Sequence, residues 1–105
     1  MTKLELVRLI GDILTEIDVV SGSLGQNLPS RKKLDELRGN LDEQQRELVR
    51  LIFEENNSEY INITAELSKT NEEMRKSLND LQRIVESIKL LTKFVELVED
   101  ATLTA

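Results

Sequence analysis

The sequence predicts a small all-α protein: three helices, the last two forming an antiparallel α-hairpin. Three observations carry that class. Apolar residues recur every three or four positions through most of the chain. One Pro and four Gly in 105 residues leave room for few turns and long elements. Aromatic residues make up only 3%, so the core falls to Leu, Ile and Val. At this length the chain, residues 1–105, is expected to form a single helical domain.

The first helix is expected over residues 3–20. Thr2-Lys3-Leu4-Glu5 fits a capping box, in which the Thr hydroxyl accepts from the Glu5 N–H. Leu4, Val7, Ile10, Ile13, Leu14, Ile17 and Val20 share one face, and Leu6, Leu9 and Val19 widen it. A face that wide implies two neighbours rather than one. The polar cluster from Ser21 to Asn27 is a loop, with Gly22 placed to serve as a left-handed cap.

The second helix is expected over 29–56. Pro29 stands where a first-turn proline belongs, and Leu34, Leu37, Leu41, Leu48 and Ile52 form the stripe. Gln44 and Gln45 stand where the next apolar residue is due. Gly39-Asn40 marks either a close approach between helices or a short break with Asn40 as a new cap; a continuous helix is the expectation. Asn56-Asn57-Ser58-Glu59 reads as the next turn.

The third helix is expected over 58–100. From Tyr60 to Val98 the apolar steps continue without Pro or Gly, which predicts an unbroken element about 60 Å long. Facing residues of two antiparallel helices have a constant index sum. Leu34 with Leu81, Leu37 with Leu78, Leu41 with Met74, Leu48 with Leu67 and Ile52 with Ile63 all share one such sum. Gln45 with Thr70 and Gln44 with Asn71 share it too. These four residues are the expected register layer, a polar level that fixes alignment at some cost in stability; the alternative leaves the amides in solvent.

Such a hairpin leaves Ile84 to Val98, the most apolar part of the chain, projecting past the second helix. The expected interface therefore comprises Leu6, Leu9 and Ile13 with Ile84, Ile88, Leu90, Leu91, Phe94 and Leu97. The expected partner is a second copy, as a homodimer, or a helix of another protein. The tail 101–105 is expected to fray.

Composition narrows the function classes. A net charge of −6 with no segregated basic face argues against nucleic acid. There is no Cys and no His, which removes disulfides, Cys/His zinc sites and the Glu-x-x-His motif of di-metal bundles. No phosphate loop or nucleophile motif is present, so no catalytic, cofactor or metal residue is assigned. Arg31-Lys32-Lys33 is either an anion site or a solvated helix start. The acidic clusters, such as Glu72-Glu73 and Glu96/Glu99/Asp100, read as solvated faces. Asn56-Asn57-Ser58 and Asn62-Ile63-Thr64 match a glycosylation sequon, taken here as chance.

Charges within residues 4–20 argue against a signal peptide, and a cytoplasmic location is the default expectation. The sequence thus points to a non-enzymatic helical interaction or adaptor protein. Its architecture is of the kind that chaperone-, antitoxin- and immunity-like proteins use. The alternative is a membrane-active helix or pore component, with Val85 to Val98 on a membrane surface. An enzyme working through bare carboxylates is the weaker third class.

Overall fold

The computed structural model describes residues 1–24, 28–55 and 64–103. Among them are four α-helices rather than three. They are α1 (Lys3–Gly22), α2 (Pro29–Glu55), α3 (Ala65–Leu78) and α4 (Ile84–Leu103), with a 3-10 turn at Leu81–Arg83 between the last two. The expected turn at Asn56–Glu59 and the sequons at Asn56 and Asn62 lie outside the described residues.

Local chemistry sets the helix ends. Thr2 caps α1, its side chain accepting from the Glu5 N–H at 3.1 Å. The left-handed glycine cap does not form: α1 runs through Gly22 and closes at Ser23 in the right-handed region, with the Ser23 N–H on Val20 and Ser21 carbonyls. Pro29 opens α2, which passes through Gly39-Asn40 unbroken. A Cβ at Gly39 would meet nothing within 4 Å, so no close approach requires that glycine. Thr64 caps α3, accepting from the Leu67 N–H at 3.1 Å. The expected fraying is not found at 101–103, where α4 continues to Leu103, and the rest of that tail lies outside the described residues.

The expected long third helix is broken at Asn79-Asp80. Asn79 ends α3 with its N–H on Ser77 O, and the Asp80 N–H also reaches Ser77 O, at 3.1 Å. Asp80 Oδ1 then accepts from the Gln82 N–H at 3.0 Å. Short polar side chains that bond to nearby backbone groups compete with the helix ladder, and the Asp80 carboxylate does so here, where the run stops without Pro or Gly.

The break folds the chain back into a second hairpin. α3 and α4 run antiparallel: Lys93 Nζ meets Glu66 Oε1 at 2.9 Å near one end, and Ser87 Oγ donates to Ser77 Oγ at 2.9 Å near the other. Both serines are fully buried, and Ser77 Oγ donates onward to Met74 O at 3.0 Å, so this polar pair is satisfied internally.

α1 and α2 form the first hairpin. Arg31 reaches Ser21 O at 2.6 Å, Arg38 meets Asp18 at 2.6 Å, and Gln45 Nε2 donates to Val7 O at 3.1 Å, so one index falls as the other climbs. Arg31 explains a cation at a helix start. It serves the carbonyl end of α1, where positive charge is favourable.

The expected α2–α3 hairpin is not what packs. α2 lies against α1 and α4, and α3 against α4 and, more sparsely, α1; α2 and α3 face each other across the bundle diagonal. All four helices contribute to one core, including Leu6, Ile17, Leu34, Leu41, Leu67, Met74, Leu91 and Phe94.

Candidate functional site

Two seams join the hairpins, and each holds a groove. The first lies between α2 and α4. Gln44 Nε2 donates to Val95 O at 2.8 Å across it, while Gln44 Oε1 is buried without a partner. The groove there, about 430 Å³, has Leu48 and Val95 among its walls and Glu43, Glu47 and Glu99 among its polar groups. Arg50, one turn on from Glu47, bonds to its carboxylate and holds it below its ordinary pKa. That carboxylate stays ionised at neutral pH, which suits a solvated ion pair better than a proton donor.

The second seam lies between α1 and α3. These helices run parallel. Arg75 lies beside Asp12 and Glu16, and Leu78 and Asn79 lie beside Val19, Val20 and Ser23. The groove is about 270 Å³ and is lined by Thr15, Glu16, Val19, Val20, Ser23, Leu78 and Asn79. Its only cross-links among the described residues are long. Arg75 Nη2 is 3.8 Å from Asp12 Oδ2, and Arg75 Nε is 3.8 Å from Glu16 Oε1. Both lie beyond hydrogen-bond distance. Arg75 Nε and Glu16 Oε2 are buried and have no hydrogen-bond partner.

The groove opens near the end where α1 closes and α2 and α4 begin. Three large apolar side chains stand exposed around that end: Val19 at 69%, Val85 at 63% and Leu28 at 48%. Phe53, near the opposite end, is 81% exposed.

The expected interface residues are distributed differently from their sequence assignment. Leu6, Ile13, Leu91 and Phe94 are completely buried within this chain's own core. Leu9, Ile84, Ile88, Leu90 and Leu97 are half-buried and pack against that core. The projecting segment that motivated the assignment does not exist, because the turn at 79–83 returns α4 onto α2 and α3. Phe94, expected at the interface, is the largest fully buried side chain among the described residues.

The register residues do not face one another as a hairpin layer. Gln44 turns to α4 and Gln45 to α1, while Thr70 is buried on α3 and Asn71 Oδ1 is buried without a partner. The Gln45 amide crosses over Gly11 to reach Val7 O. A Cβ at Gly11 would stand 3.2 Å from that nitrogen, so the close approach in this fold is at Gly11, not Gly39.

Sequence reasoning passed over Glu16, Arg75 and Leu78 as one site. Their proximity depends on α3 running parallel to α1, and no local pattern encodes that. Among the described residues no helix is long and apolar enough to cross a membrane, and no group of three or more Asp or Glu side chains is arranged to hold a metal ion. Comparison with family models, curated proteins and solved structures gives no match.

Proposed function

We propose that this chain is a non-enzymatic helical interaction protein, an adaptor-type module that buries helix surface against a second copy or against a helix of another protein. The α1/α3 groove carries this reading. It is the sparsely packed side of the bundle, it has apolar walls in Val20 and Leu78, and Val19 stands largely exposed at its edge. Exposed apolar side chains beside an open groove supply what a partner helix needs: area to bury and a channel that sets its direction.

Glu47, in the α2/α4 groove, fits the non-enzymatic part of this reading. Glu47 is neutralised by Arg50, and a catalytic acid needs the opposite perturbation.

Light scattering of the purified protein at micromolar concentration, alone and with a candidate partner helix, tests the proposal. A dimer or complex is expected, and Val19→Asp is expected to abolish it with the melting temperature unchanged. A monomer that takes up no helix but co-sediments strongly with neutral and anionic vesicles would move the protein to the membrane-active class.

A further inference from the structure

We infer that the two hairpins are hinged: they stay joined along α2 and α4 and part reversibly between α1 and α3. The α2/α4 seam has the larger groove, but it is the more extensively packed of the two and is held by a direct bond from the Gln44 amide to the Val95 carbonyl. The α1/α3 seam has no equivalent among the described residues. It is the least packed of the four helix–helix contacts, and its cross-links are two ion pairs at 3.8 Å.

Closing that seam removes Arg75 Nε and Glu16 Oε2 from water without giving either a hydrogen bond. Both side chains stay about a third exposed, at 37% and 35%, so the penalty falls on these two atoms alone, and an unmet hydrogen bond at each opposes the closed state. Opening rehydrates both atoms at the sparsest of the helix–helix contacts, against the cost of uncovering buried side chains such as Leu78. The same movement on the α2/α4 side would break a satisfied bond. Sub-global opening follows the least stable contact, and here that contact is α1/α3.

The hinge requires no partner, so it stands apart from the proposed interaction role. A protein that binds no helix would still open, and one that binds a helix at another face would leave the hinge unaffected.

Double electron–electron resonance on the full chain tests it. The chain has no cysteine, so labels attach only where cysteines are introduced. Val19→Cys with Asn79→Cys spans the α1/α3 groove, and Glu43→Cys with Glu99→Cys spans the α2/α4 groove; all four positions are exposed. The first pair is expected to give two distance components, the longer displaced by about half a helix diameter, roughly 5 Å. The longer component should grow in mild urea, below the unfolding transition. The second pair is expected to give a single component throughout. Equally narrow distributions across both seams, or equal broadening of both, would overturn the hinge.

A second arm tests the cause. Adding Glu16→Leu and Arg75→Leu to the first pair replaces the poorly satisfied ions with apolar contact, and the longer component should fall several-fold. A longer component that persists undiminished in that background would overturn the assigned cause. The first arm uses neither substitution, so it decides the hinge even if this variant folds poorly.

Discussion

The α2/α4 and α1/α3 seams each bring together one helix from each hairpin, and each has a groove with leucine in its wall. They differ in what crosses them. At α2/α4 a neutral amide bonds directly to a backbone carbonyl at 2.8 Å. At α1/α3 a guanidinium stands 3.8 Å from each of two carboxylates. More formal charge therefore accompanies the poorer contact. A neutral donor on a carbonyl is satisfied at modest desolvation cost, whereas a half-buried ion pair loses hydration and repays it only with close geometry. Charge complementarity read along the chain is thus a weak guide to which helices hold together.

The largest expected effect lies in the core that both seams share. Phe94→Ala should cost about 3–5 kcal/mol, since the ring is fully buried. Urea melts would measure it, and a loss below about 1 kcal/mol would place Phe94 outside the core and remove the frame for comparing the seams. A sharper contrast comes from two leucines, one in each groove wall. Leu48 and Leu78 are both buried. Truncating a buried Leu to Ala costs roughly 2–5 kcal/mol, depending on how far the site relaxes. Leu48→Ala should fall toward the upper end and Leu78→Ala toward the lower, because a loosely packed seam closes around the gap. Equal losses would erase the distinction.

The same contrast explains what the sequence conveyed. The buried stripe is legible: Leu34, Leu37, Leu41, Leu48, Leu67, Met74 and Leu78 all lie in the core. Periodicity reports which face of a helix is apolar, and that face points to the bundle axis whichever helix lies beside it. Leu37 and Leu78 could therefore match in index sum and both be buried, while their helices sit diagonally. The break at Asn79-Asp80 carries no Pro or Gly and only two short polar residues within a continuing apolar period, so the run reads as continuous, although Asp80 Oδ1 accepts from the Gln82 N–H just past the end of α3. The projecting segment, and with it the interface assignment of Phe94, depends on that continuity. The α1/α3 groove was out of reach, since Arg75 and Glu16 meet only once the chain direction of α3 is known.

A smaller effect tests the satisfied seam directly. Gln44→Ala removes the bond to Val95 O and should cost about 1 kcal/mol. It also removes the unpartnered Oε1, which offsets part of the loss. A stabilised Gln44→Ala variant would mean that the orphaned oxygen outweighs the bond, and that the α2/α4 seam is no better satisfied than α1/α3.

The smallest expected effect belongs to the ion pair within the first hairpin, where geometry is good and solvent is near. Arg38 grips Asp18 from α2 to α1 through Nε at 2.6 Å and Nη2 at 3.2 Å. The hydrogen bond from Arg38 holds the Asp18 carboxyl below its ordinary pKa, against a smaller desolvation effect that raises it. A carboxyl whose folded pKa is depressed adds stability that is complete above the unfolded value. That contribution is lost as pH falls through the ordinary range near 4 and then through the lower folded value. Both side chains are about half exposed, at 53% and 42%, so solvent screening limits the pair to under about 1 kcal/mol. Asp18→Asn should therefore lower stability slightly at pH 7, and its deficit should shrink toward zero as the wild type is acidified. Added salt should shrink it as well. Glu47 is also held low, but by Arg50 on its own helix, so Glu47→Gln should affect α2 without reporting on how the hairpin is held. Chemical denaturation of both variants across pH separates the cases. A deficit for Asp18→Asn that stays constant down to acid pH would show that the pair contributes through packing rather than charge, and the first hairpin would then owe its alignment to Arg31 and Gln45 on the α1 carbonyls.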